Sequence, residues 1–244
     1  MRKMSGGNFV FIFFLIFMVY RSFQSGTFDN PGQWLLLTLL KLPALVVGIT
    51  FHEFAHAYSA YKLGDQTPKA QKRVTLNPLS HIDPIGIIAL VFIGFGWGRP
   101  VQINPYAFQK NRRLSSLIVS VAGVVTNFVI AFLCTGLILL TGNYPFLTFI
   151  LVFVVYFNLV LMLFNLLPIP PLDGFGILTE IFDLRRFSWY QTFYNNGMII
   201  LLVIIVFGIV GLLLGSALFS LLGFLGKIWD VDLNLMLALI YRYM

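Results

Sequence analysis

The chain alternates between long apolar runs and shorter polar ones. Apolar runs cover residues 9–20, 34–61, 85–98, 114–141, 146–167 and 197–225. A helix needs roughly 20 consecutive apolar residues to cross the ~30 Å hydrocarbon core of a bilayer. The runs at 114–141 and 146–167 meet that length and predict two spanning helices. The run at 9–20 is near the lower limit and follows Arg2 and Lys3, as the start of a signal peptide would, but no small-x-small cleavage site follows it. A retained first transmembrane helix is therefore expected. Lys41 and Pro43 interrupt the second run, which predicts a short interfacial piece and then a spanning helix from about Leu42. The run at 85–98 is short for a span and holds Gly86, Gly94, Gly96 and Gly98, so a re-entrant or strand-like segment packed on protein is expected there. The run at 197–225 suits either one tilted helix or a helix plus a half-helix.

Between these runs lie a turn cluster at 22–33, polar stretches at 62–84 and 99–113, a turn at 142–145 and a mixed loop at 175–196, with an amphipathic, interfacial tail at 226–244. The expected fold is an all-α polytopic membrane protein of about five to six transmembrane helices, with a re-entrant or β-like segment after the second. It reads as one unit, with a first helix and loop at 1–33, a core at 34–178 and C-terminal helices at 179–244.

Composition reinforces the membrane reading. Of 244 residues, 59% are apolar and 10% charged, too few charges to cover a water-soluble domain of this size. A single cysteine, Cys134, excludes an intramolecular disulfide. The net charge of +7 does not call for nucleic acid, because Lys and Arg gather in the cytoplasmic loops of membrane proteins and meet anionic lipid there. Most of the 16 basic residues fall on one side if the N-terminus is cytoplasmic and 85–98 does not cross, with Lys69, Lys72, Arg73, Lys110, Arg112 and Arg113 in the two central polar stretches. That orientation, in a multi-pass protein of the cell membrane, runs both the second and the fourth apolar helices inward.

The chemistry lies at the inward end of the second run, where His52-Glu53-Phe54-Ala55-His56 forms an H-E-x-x-H pattern. Residues four apart stand one above the other on a helix, so the two imidazoles can share one cation while Glu53 lies beside them. Two neutral imidazoles and a carboxylate in that arrangement suit Zn²⁺ and a water that gives up its proton. Ionisable groups inside an apolar span are functional candidates by default. A catalytic zinc has three protein ligands, so one is wanting. Asp173 follows the fourth apolar run directly, among Pro168, Pro170 and Pro171, and is the first candidate; the alternative is that it caps a helix beginning after Gly174. His81, with Asp83 behind it, is the competing ligand.

Taken together, these stretches resemble the site-2 proteases, intramembrane zinc metalloproteases, in the small form with neither PDZ nor CBS domain. The resemblance rests on His52 to Tyr58, on Leu76-Asn77-Pro78-Leu79-Ser80-His81-Ile82-Asp83-Pro84-Ile85-Gly86, on Phe95-Gly96-Trp97-Gly98-Arg99-Pro100-Val101, and on the N-x-x-P-x-P-x-L-D-G pattern from Asn165 to Gly174. It implies that His52, His56 and Asp173 bind zinc, that Glu53 activates water, and that Asn165 holds substrate backbone near the metal. One departure is visible: the family's A-G-P-x-x-N in the third helix reads Ala122-Gly123-Val124-Val125-Thr126-Asn127, a change expected to touch no ligand.

The function implied is hydrolysis of peptide bonds in or near the transmembrane helix of a membrane-protein substrate, at the cytoplasmic side of the bilayer. Such a substrate must unwind locally, and the segment at 85–98 is expected to pair with it as a strand edge or to be a plain re-entrant loop. Access would depend on substrate trimming, on a separate regulatory protein or on helix movement. Two other classes compete: a catalytically idle membrane scaffold or chaperone, which predicts a missing ligand or base, and an ion-binding transporter, which predicts internal repeats. Neither feature is found.

Overall fold

The computed structural model describes residues 6–93, 96–142 and 144–242. Helix α1 (Gly6–Gln24) leads through a tight turn into α2 (Pro31–Lys62), which is followed by the one-turn α3 (Thr67–Ala70) and the short α4 (Pro84–Ile93). Two long antiparallel neighbours come next, α5 (Arg112–Ile138) and α6 (Pro145–Asn165). The chain ends in α7 (Asp173–Phe182), α8 (Tyr190–Val206), α9 (Ile209–Trp229) and α10 (Leu233–Arg242). The starts are written in the sequence. Asn30 accepts the Gln33 amide with Pro31 in the first turn, Asn111 accepts the Leu114 amide, and Pro145 opens α6.

Four of these helices, α2, α5, α6 and α9, are long and apolar enough to cross a membrane, and shorter apolar stretches occupy Ile12–Gln24 and Tyr190–Val206. The chain is an all-α membrane protein. The interior lies where α2, α5 and α6 meet, and α9 and α10 close over it. Small residues such as Ala44 and Ala131 let the backbones approach, and Val155 and Leu159 of α6 fill the space between them.

Several elements differ from what the sequence suggests. The second apolar run is one unbroken helix of 32 residues with Pro43 inside it. A proline deprives one carbonyl of its helical donor, but in an apolar environment unwinding the chain would orphan several groups instead of one. At about 1.5 Å per residue, His52 lies roughly 32 Å along α2 from Pro31. The segment after Pro84 is a ten-residue helix, half the length needed to cross. Its β-like character is confined, among the described residues, to a single antiparallel bridge between Ile82 and Gly98. Gly94 and Phe95 lie outside the described residues, as do Arg2, Lys3 and Asn143 of the basic and turn signals.

The stretch at 175–196 is no loop: α7 occupies its first part and α8 begins at Tyr190. Its charges mislead because Glu180 is buried and paired with Arg185, while Arg113 of α5 donates to the carbonyls of Glu180 and Ile181 and so closes the end of α7. The hydrogen bonds that Arg185 donates to the Glu180 carboxylate raise its guanidinium above its ordinary value. The run at 197–225 breaks at Gly208, whose φ of 70° ends α8 and starts α9. Leu159 is wholly buried at the centre of the bundle. Leu159→Ala should cost about 2–5 kcal/mol, read as earlier unfolding of the purified protein in a denaturant titration.

Candidate metal centre

Three side chains from two distant parts of the chain converge toward the C-terminal end of α2. His52 Nε2 and His56 Nε2 are 3.0 Å apart, and Asp173 Oδ2 stands 3.2 Å from each. Among the described residues these three form the group able to hold a metal ion. Both histidines are buried, and the Asp173 oxygen that faces them has no hydrogen-bond partner of its own.

The tautomers follow from the far side of each ring. Asn158 Nδ2 donates to the Val154 carbonyl at 2.8 Å, which turns its Oδ1 toward Asn127; Asn127 Nδ2 donates to that oxygen at 2.9 Å and lies 3.4 Å from the Gly48 carbonyl. Asn127 Oδ1 therefore faces His52 and accepts from its Nδ1–H at 2.6 Å. His56 Nδ1–H donates to the Val119 carbonyl at 2.8 Å. With both protons fixed on Nδ1, both Nε2 lone pairs point at each other and at a carboxylate oxygen. Such an arrangement is repulsive unless a cation lies between. Bonds of about 2.0–2.1 Å to a tetrahedral zinc would place ligand atoms roughly 3.3 Å apart, close to the separations found. The residues fit the ion.

Local backbone makes room for this cluster. A Cβ on Gly123 of α5 would come within 2.5 Å of His56 Nε2 and 2.6 Å of His52 Cε1, so the helix can approach the imidazoles only as glycine. A Cβ on Gly174 would fall 2.2 Å from the Leu166 carbonyl, and its absence lets the start of α7 tuck beneath the end of α6. Asp173 is the first residue of α7, with Leu172 in the cap position, so it is not the cap of a later helix. A carboxylate there also faces the positive end of the helix dipole.

Glu53 comes from the same helix but is held by another element. Its Oε2 accepts the Val101 amide at 3.0 Å. Val101 belongs to a non-helical stretch tied across the end of α2. Asp65, fully buried, accepts the Asn104 amide at 2.7 Å; Arg99 donates its amide to the His81 carbonyl at 2.7 Å; and Arg73 donates to the carbonyls of Ser80 and Arg99. Burial and the neighbouring Arg99 lower the Arg73 guanidinium below its ordinary value.

The structure does not bring every candidate together. His81 is not part of the cluster: it is fully buried in the loop, and its Nε2–H donates to the Thr75 carbonyl at 2.8 Å. Sequence proximity to the H-E-x-x-H misled because the loop folds back on itself instead of over the imidazoles. Asn165 turns its amide to the Leu161 carbonyl one turn back, at 2.9 Å. Three residues not predicted from the sequence are in place: Asn127 and Gly123, which flank the position where the family's proline reads Val124, and Asn158. The available signal was that each asparagine interrupts an apolar run, where an amide demands a partner. Asn127→Leu should weaken zinc binding about 10- to 100-fold in competition with a chelator, as loss of a partner to a metal-binding histidine generally does, whereas Asn165→Leu should leave that affinity unchanged.

Comparison with known proteins agrees with this geometry. The sequence profile of Peptidase family M50 matches residues 143–208, the part that carries Asp173. The chain is 43% identical over 171 residues to "Putative zinc metalloprotease YwhC" of Bacillus subtilis (strain 168), which covers 66% of this chain and 78% of that protein. It is 31% identical over 158 residues to "Putative zinc metalloprotease Rip2" of Mycolicibacterium smegmatis, across 61% of this chain and 60% of that protein. It is 30% identical over 151 residues to "Putative zinc metalloprotease MJ0611" of Methanocaldococcus jannaschii, across 62% of this chain and 75% of that protein. No solved structure matches the chain. A zinc-compatible cluster inside an apolar helical bundle and these relatives lead to one assignment: the chain belongs to peptidase family M50, the site-2 protease family of zinc metalloendopeptidases.

Proposed function

We propose that this membrane metalloprotease cleaves peptide bonds in or near the transmembrane helices of other membrane proteins, with His52, His56 and Asp173 holding zinc and Glu53 acting as general base. The observation that carries the reading is the convergence of the three ligand atoms within 3.2 Å of one another, with Glu53 next to His52 on the same helix. When bound, the ion polarises a carbonyl and makes water acidic enough to lose a proton near neutral pH. Glu53 takes that proton on one carboxylate oxygen while the Val101 amide steadies the other, and returns it to the leaving amine. The imidazole protons stay on Nδ1 throughout, held by Asn127 and Val119.

A transmembrane helix shields its amides by internal hydrogen bonding, so a substrate must be extended before it can react. The non-helical stretch from Gly96 to Asn104 runs beside Glu53, and we assign it, in place of α4, as the surface on which an unwound substrate lies. Asn165 is proposed to meet substrate only after releasing the Leu161 carbonyl. The basic loops support a cytoplasmic orientation of the site. The scaffold reading has no feature in its favour, since ligands and base are all present.

Purified Glu53→Gln should keep about one zinc per chain and lose all cleavage of a transmembrane substrate, whereas His56→Ala and Asp173→Ala should lose zinc and cleavage together. Proteolysis by Glu53→Gln, or full zinc retention by Asp173→Ala, would falsify these roles. Reporter fusions after residues 142 and 187 test the orientation: the first should report the outer side and the second the cytoplasm.

A further inference from the structure

At the other end of α2 from the metal lies a cavity of about 580 Å³, enclosed by the α1–α2 turn, α2, α4 and α6. Its rim is polar, with Ser25, Thr27 and Asp29 from the turn, where Phe92 of α4 packs on Trp34, and the part farther along the helices is apolar, with Leu45 of α2 and Phe157 of α6. Lys41 lines it between these zones. Among the lining residues Lys41 and Asp29 are the charged ones, and the described ion pairs and side-chain hydrogen bonds of the chain include neither. A half-buried lysine with no described partner in an apolar helix is costly and suits an anion.

The position of Lys41 decides which anion. Side chains on a helix lean toward its N-terminus, here toward the membrane face at which α2 begins. Trp34, an interfacial residue type, lies two turns or about 10 Å nearer that face, and the lysine stem carries its ammonium back toward the same level. Along the membrane normal the cavity thus offers an apolar floor, then a positive charge, then a negative charge at the rim. A phospholipid with an amine head group has acyl chain, phosphate and ammonium in the complementary order. We propose that this cavity is a binding site for one such lipid, with its phosphate on Lys41, its ammonium at Asp29 and its acyl chain along Leu45 and Phe157. The site lies eleven residues, about 16 Å, from His52 along α2 and takes no part in the chemistry there.

The test is native mass spectrometry of the delipidated full chain after addition of dioleoyl phosphatidylethanolamine, phosphatidylglycerol or phosphatidylcholine. The wild type should retain one ethanolamine lipid about fivefold better than the glycerol lipid, which has no ammonium for Asp29, the worth of one partly screened ion pair, and the choline lipid, cationic but without an N–H to donate, should fall between them. Lys41→Met should lower retention of all three, whose phosphates share Lys41, and Asp29→Asn should erase the preference for ethanolamine over glycerol while keeping both bound. Thr38→Trp, which fills the cavity and leaves Lys41 in place, should also abolish retention. Zinc content and thermal unfolding equal to wild type certify each variant as folded. Equal retention of the three lipids by the wild type, or unchanged ethanolamine-lipid retention in folded Lys41→Met or Thr38→Trp, would overturn the proposal.

Discussion

Three electron-rich atoms held about 3 Å apart in an apolar interior are the constraint on which the rest of this structure depends. Two imidazole lone pairs and a carboxylate oxygen repel one another, and their mutual approach is stable only around a cation. The protein keeps the imidazoles from escaping that repulsion by engaging the opposite nitrogen of each. For His56 the engagement is a backbone carbonyl; for His52 it is a chain of two asparagines ending on another carbonyl. Each link has one permitted direction, because a carbonyl can only accept. The packing of α2 against α5 and α6 therefore does more than fill space: it sets which nitrogen of each histidine carries the proton.

The third ligand arrives by a different route, and its placement depends on the boundary between α6 and α7. Pro168, Pro170 and Pro171 end the helix, and the compact turn they form returns the chain to the bundle at Asp173. Gly174 permits the close approach, and Arg113 of α5 holds the far end of α7 through the carbonyls that every helix leaves unsatisfied. The same helix, α5, thus presents Gly123 and Asn127 to the histidines and Arg113 to the helix that carries the aspartate.

His52, Glu53, His56 and Asp173 were legible because their chemistry is local: a helical spacing in one case, a carboxylate at the end of an apolar helix in the other. The spans at α5 and α6 were legible for the same reason. Asn127 and Asn158 were not, since what each asparagine touches is decided by which helices pack together, and no spacing within one helix encodes that. Pro43 suggested a break, yet an apolar surround makes the loss of one hydrogen bond cheaper than the loss of several. The charges at 180–186 suggested a loop, yet Glu180 and Arg185 satisfy each other. His81 lies close in sequence to the catalytic helix, but the short helical turn at Pro78–Ser80 directs it into its own loop.

The choice of amides over carboxylates behind His52 has an electrostatic reason. With zinc in place, Asp173 and Glu53 supply two negative charges against two positive ones, so the site is neutral as a whole. An aspartate at position 127 would bind the imidazole proton more strongly, but it would leave a net negative charge in a region where burying charge is expensive. It would also leave its second oxygen facing two acceptors, Asn158 Oδ1 and the Gly48 carbonyl, and repelled by both. A neutral carboxamide orients the histidine, satisfies a second helix with its nitrogen and leaves the charge balance to the ligands. A soluble enzyme, with water nearby, can tolerate a charged partner at that position; inside a bilayer, the same orienting role falls more cheaply to asparagine.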